Sequence, residues 1–189
     1  MNSSALPDRL PPLPESQWDA AQRACAEEII RGPRGAMIAP FFPMQRSPEL
    51  CTHAQRTGEY LRYRSAIGLR LSELAILVTS RYWTQQVEWA IHAPIAMKEG
   101  ISAEVVEDIA QRRTPRFARD DEALVYAVVQ QSLQDKKVSD ATWQQALALL
   151  GEQGVVDLLG IAGYYSMLSI MMNGSQTPPP PNLSMRLPA

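Results

Sequence analysis

Thiols and imidazoles are scarce in this chain: its 189 residues include two cysteines, Cys25 and Cys51, and two histidines, His53 and His92. One pair of cysteines is too few for the disulfide framework of a small secreted domain, and their separation suits neither a zinc site nor a CxxC redox pair. The expectation is no metal, no cofactor and a reducing, cytoplasmic setting. An excess of charge is lacking too. The 18 basic and 20 acidic residues are interspersed and leave a formal charge of -2, without the basic footprint that binding to nucleic acid or an anionic membrane requires. Small molecules and copies of the chain itself are the expected partners. The opening "MNSSALPDRLPPLPES" contains four prolines and no basic region followed by an apolar run, so a secretory signal is not expected. The most apolar stretch, "VVDLLGIAGYYSMLSIMM" at 155–172, carries Asp157, two glycines and two tyrosines. It barely reaches the roughly 20 residues a bilayer requires and reads as a buried helix.

What is present is helical punctuation, with little strand signal against it. Hydrophobic residues make up 46% of the chain, enough for one sizeable core. Ser16 ahead of "QWDAAQRACAEEIIRG", with Asp19 three residues on and Gly32 behind, predicts a helix over 17–31. The connection "GPRGAMIAPFFPMQRS" is predicted to be loop, although Phe41, Phe42 and Met44 need cover. Ser47, Pro48 and Glu49 announce a helix to about residue 64. Ser72 with Glu73 is predicted to open the helix "ELAILVTSRYW", and 84–98 is predicted helical up to Gly100. No glycine or proline shows whether those two helices are joined. Ser102 caps a short helix, and Asp120, Asp121 and Glu122 precede "ALVYAVVQQSLQDKK", which closes on two lysines as a helix dipole favours. Ser139 and Glu152 begin the last two. The predicted architecture is an all-α bundle of about seven or eight helices over 16–174. A proline-rich arm at 1–15 and an extended, polyproline-like tail at 175–189 flank it.

The stretch "TQQVEWAIHAPIAMKEG" at 84–100 holds the candidate chemistry. Glu88 and His92 are four apart and share a helix face, and Gln85 is placed on that face three residues earlier. Pro94 removes one amide and crowds the carbonyl of Ala90, so the helix is expected to bend where His92 emerges. An imidazole beside a carboxylate titrates near neutral pH, as general acid–base chemistry requires.

The run "LSELAILVTSRYWTQQVEWAIHAPIAMKEGISAEVVEDI" resembles the core segment of carboxymuconolactone decarboxylase and alkylhydroperoxidase D proteins, small all-helical oligomers. The resemblance covers about residues 71–109 and, less specifically, the chain to about 172. The peroxidase branch has a glutamate, then after eleven residues a CxxC pair, then a histidine four beyond the second cysteine. This chain has Glu73, then Gln85 and Glu88 at the cysteine positions, then His92. A peroxidase that uses its own CxxC needs a nucleophilic thiolate and a resolving partner, which glutamine and glutamate cannot replace. The decarboxylase branch is the better likeness. It implies a cofactor-free loss of carbon dioxide with His92 as proton donor or enolate partner, Glu88 as the carboxylate that orients it, and Glu73 as a second acid; the roles of the two glutamates are interchangeable at this level. Trp89, in the family-like pair "EW", is a candidate substrate contact.

An anionic substrate also needs cations. Arg56, Tyr60 and Arg64 recur every four residues along one helix, and Arg81 and Tyr82 precede the Glu88 helix. Tyr60, Arg81, Gln85 and Trp89 are therefore the expected substrate-binding residues, and Glu73, Glu88 and His92 the catalytic ones. Two other functions fit the same scaffold: an oxidoreductase of the peroxidase branch that borrows an external thiol, and a non-catalytic oligomeric binding protein. The apolar final helix, the Phe41-Phe42-Pro43 segment and the two arms point to a homo-oligomer.

Overall fold

The computed structural model describes residues 7–179, 181 and 185–188, and among them it is all helical. Eight α-helices follow in chain order: α1 Ala20–Arg31, α2 Phe41–Met44, α3 Pro48–Tyr63, α4 Gly68–Tyr82, α5 Gln86–Lys98, α6 Ala103–Ala110, α7 Asp120–Gln130 and α8 Asp140–Ser175. A turn of π-helix at Gln131–Asp135 ends α7, and Gly151 (φ 68°) breaks α8 into segments 140–150 and 152–175.

Helix α4 is the axis of the bundle. Leu71 to Arg81 are all buried, because α3, α5, α6, α7 and α8 pack around them; a helix surrounded in this way is buried on every side. Its small polar residues turn inward on their own backbone: the hydroxyls of Ser72, Thr79 and Ser80 donate to the carbonyls of Gly68, Ala75 and Ile76 at 2.7–2.8 Å, so they can be buried at little cost. Ser72 therefore lies inside α4 rather than capping it, and the helix begins at Gly68.

Other boundaries also moved. Asp19, not Ser16, caps α1, through a reciprocal pair of hydrogen bonds with Gln22 at 2.8 and 3.0 Å, a capping box that takes precedence over the single serine; Ser16 falls in the 3-10 turn Glu15–Gln17. The expected loop around Phe41 contains α2, and Phe41 and Met44 are each 1% exposed in the chain's own core. The described part of the tail is not simply extended: Gln86 receives from and donates to the backbone of Leu187 at 3.0 and 2.9 Å, and Leu187 is buried. At the other end Arg9 donates from its backbone to Ser175 at 2.8 Å. Residues 1–6 of the first arm and 180, 182–184 and 189 of the tail lie outside the described residues. Helix α8 is long and apolar enough to cross a membrane by composition; Val155, Leu158, Ile161, Leu168 and Met172 of its inner side are in the core.

The join between α4 and α5 is a sharp break. Thr84 takes a left-handed conformation (φ 49°), rare for a β-branched residue. Asn173 of α8 holds both sides of it, donating to the Trp83 carbonyl at 2.9 Å and accepting from the Gln85 amide at 2.8 Å. Gln85 accepts in turn from the backbone of Val87 at 2.6 Å and so caps α5. Beyond it α5 runs unbroken across Pro94.

Helices α3 and α8 meet at Gly58, where an added Cβ would lie 2.1 Å from the Tyr164 hydroxyl and 2.4 Å from its ring. Alanine would gain about 1 kcal/mol of helix propensity over glycine, whereas overpacking typically costs about 1–3 kcal/mol, and so close an overlap belongs at the upper end. Gly58→Ala is expected to lower unfolding free energy by about 2 kcal/mol in urea titrations, and to become stabilising in a Tyr164→Leu background. A gain in the parent background would contradict this packing.

Candidate active site

Three residues singled out from the sequence come together in the core. Glu73 projects from the middle of α4 with no exposure, and its Oε2 lies 2.6 Å from Nδ1 of His92 on α5. Glu88, one turn before His92, places its Oε2 3.3 Å from Nε2. Both imidazole nitrogens thus face carboxylates, and all three side chains are at most 3% exposed. Tyr165 of α8 stands edge-on to the ring with centroids 5.2 Å apart. One oxygen of each carboxylate, Glu73 Oε1 and Glu88 Oε1, is buried without a protein partner.

The ring opens on one side into a cavity of about 20 Å³, room for about one water molecule. Glu88 and His92 line it with Arg34, Ile38 and Phe41 from the connection before α3, Arg62 of α3, and Tyr164 and Tyr165 of α8. Glu73 is not among the lining residues. The two glutamates, interchangeable in the sequence, are therefore distinguished: Glu73 holds His92 from behind and Glu88 stands at the cavity.

The expected substrate contacts are placed elsewhere. Gln85 caps α5 and bonds Asn173, so it does not converge with Glu88 and His92. Tyr60 donates to the buried carboxylate of Asp157 at 3.0 Å, which also accepts from the backbone of Ala66 at 2.7 Å, a structural tie between α3 and α8. Arg56 is paired with Glu28 at 2.6 Å, and Arg64 lies over the ring of Tyr60. Trp89 is 1% exposed in the core, and Arg81 lines a different cleft. The cations that do reach the cavity, Arg34 and Arg62, lack any periodic sequence signal, since one lies in a loop and the other on a helix remote in sequence. Neither cysteine lines the cavity; both are buried, and burial pushes the Cys51 thiol up, away from thiolate chemistry. His53 lies on the outer side of α3. Among the described residues no group of three or more His, Cys, Asp and Glu side chains is arranged to hold a metal ion.

Burial by itself would lower the pKa of His92, but the charge of Glu73, its hydrogen bond and the weaker partner Glu88 outweigh it and push the imidazole up to about 8. The ring is therefore a buried imidazolium at neutral pH. Because its folded pKa exceeds the ordinary 6.5, its contribution to stability is complete below about pH 6.5 and is lost as pH rises through about 8. The span corresponds to about 2 kcal/mol. Urea unfolding of the parent is expected to show this decline between about pH 6.5 and 8.5, and His92→Asn to abolish it. The same variant is expected to be less stable by about 3–5 kcal/mol at neutral pH, because it strands Glu73 in the core. A parent profile flat across that range would contradict the charged ring.

No protein-family model matches this chain and no curated protein is significantly similar to it. The chemistry of the site rests on its own geometry.

Proposed function

We propose that the chain is a cofactor-free lyase of the carboxymuconolactone decarboxylase kind, the reading implied by the likeness of residues 71–109, and that it acts in the cytoplasm on a small carboxylated lactone or oxo acid. The observation that carries this reading is the imidazolium of His92, held on both nitrogens by carboxylates and facing a cavity that two arginines also line. A substrate carboxylate is held by Arg34 and Arg62. Its bond to the neighbouring carbon breaks, carbon dioxide departs, and the electron pair left behind spreads onto the adjacent carbonyl as an enolate. A proton from Nε2 of His92, passed by way of Glu88, goes to that carbon, and solvent water restores the imidazolium. Glu73 keeps Nδ1 bonded throughout and fixes the ring orientation. Room for the substrate comes from displacement of the connection at 32–40, which carries Arg34 and Ile38 and includes Gly35 at φ 70°; a cavity sized for one water cannot hold a lactone acid.

Self-association belongs to the same proposal. The outer side of α8 exposes Val156 (65%) and Ile170 (55%), with Gly160 and Gly163 between them and Leu50 of α3 (42%) beside them, a contiguous apolar strip of the type that covers itself in an oligomer. Light scattering is expected to give a multiple of 21.0 kDa; a monomer mass at micromolar concentration would refute this part.

Carbon dioxide release from a panel of carboxylated lactones and β-oxo acids tests the activity. With a substrate in hand, Glu88→Gln is expected to lower kcat about a hundredfold or more in a folded protein, and Arg62→Gln to raise KM about tenfold with a smaller effect on kcat. Absence of release across the panel, or a Glu88→Gln variant as fast as the parent, overturns the assignment.

A further inference from the structure

Away from His92, α4, α6 and α7 enclose a cleft of about 420 Å³ that shares no lining residue with the His92 cavity. Its charge is one-sided. Arg81, Arg112 and Arg113 line it, and of these Arg113 is paired with Asp108 at 2.8 Å. Arg81 and Arg112 have no carboxylate partner among the described residues. Instead both guanidiniums donate to the same neutral atom, the Thr84 hydroxyl, at 3.3 and 3.0 Å. Arg81 is 7% exposed, and its Nε is buried without any acceptor. Thr84 and Arg112 both sit in the left-handed region, at φ 49° and 57°.

A buried guanidinium beside a second one, with an orphaned N–H, is an expensive arrangement in an empty protein. Burial and the neighbouring Arg112 pull Arg81 below its ordinary pKa. Helix geometry offsets part of the charge: Arg81 is in the last turn of α4 and Arg112 follows the end of α6, where each C-terminus contributes about half a negative charge. Two unpaired arginines against two such ends leave about one positive charge. The remaining walls combine the aromatic and aliphatic side chains of Tyr82, Tyr126, Val78 and Ile109 with the neutral polar ones of Thr114, Gln130 and Gln134, and the volume is that of a pocket for a small metabolite.

We propose that this cleft is a second binding site, for a small molecule bearing a phosphate or carboxylate group, with Arg81 and Arg112 as a two-sided clamp on the oxyanion and Tyr82 and Tyr126 against the rest of the ligand. It is independent of the chemistry proposed at His92. The clamp explains why Arg81 is kept inside without a counter-charge: the ligand supplies it.

Calorimetric titration at low ionic strength with inorganic phosphate, and separately with malonate, tests the site on the intact protein. At least one of the two anions is expected to bind saturably and raise Tm; a preference for phosphate points to a phosphorylated ligand, and a preference for malonate to a dicarboxylate. Arg81→Met and Arg112→Gln should each weaken binding at least about tenfold, whereas Arg56→Gln, outside the cleft, and Glu88→Gln, at the other cavity, should not. Ligand-free Arg81→Met should match or exceed the parent in Tm, because it removes an unpaired buried cation; a purely structural arginine would lower it. Arg112 is exposed, so its variant carries the test if Arg81→Met does not fold. Absence of saturable binding of both anions, or equal weakening by Arg56→Gln, overturns the proposal. So does a change of oligomer mass in Arg112→Gln without a change in anion affinity, which would make the cleft a contact between copies.

Discussion

A carboxylate at the centre of a helical bundle must have a cation, and in this protein the contact between Glu73 and His92 is the constraint that the other packing accommodates. Glu73 has no exposure on the most enclosed helix of the fold, where an unpaired charge would cost several kcal/mol. His92 meets it at 2.6 Å from the neighbouring helix. Each ion makes the other tolerable: burial alone would empty the imidazole of its proton, and the carboxylate restores it. The pair also fixes the distance and rotation of α5 against α4, since a shift of one residue on either helix would turn one partner away.

With that rotation set, Glu88 has one place to go. Four residues before His92, it follows the histidine's face to the side where Arg34, Arg62 and Tyr164 gather, so the same contact that neutralises the core also presents a second carboxylate and one face of the imidazolium to a cavity. The chain must turn sharply between the two helices to achieve this, and it does so at a threonine rather than a glycine. Asn173 bridges both sides of the turn, donating to the Trp83 carbonyl and accepting from the Gln85 side chain. Tertiary hydrogen bonds carry a conformation that Thr84 would not adopt unaided.

The pattern Glu88-His92 was legible because side chains four apart on a helix must share a face. Glu73 was reached through its spacing from His92, which a likeness between sequences can preserve. Gln85 was misplaced by the same periodicity, applied one residue beyond the start of the helix: as the cap residue of α5 it has extended backbone and turns toward Asn173. Arg56, Tyr60 and Arg64 share one helix face by their spacing, but Glu28, Asp157 and the Tyr60 ring had prior use for them. Arg34 and Arg62 gave no signal, because a cavity wall assembled from a loop and a distant helix has no period.

By itself the sequence determined the class of fold, most helix starts where a cap and an acidic first turn coincide, and the one helix face on which an imidazole and a carboxylate had to meet; these follow from local geometry that operates within a few residues. Only the tertiary structure decided which glutamate backs the ring and which faces the cavity, where α4 gives way to α5, which arginines reach which cleft, and that Arg81 lies buried without a counter-charge. Those outcomes depend on what each side chain finds across the bundle. Burial, charge compensation and the competition for hydrogen-bond partners are properties of the packed whole, with no counterpart in the spacing of residues along the chain.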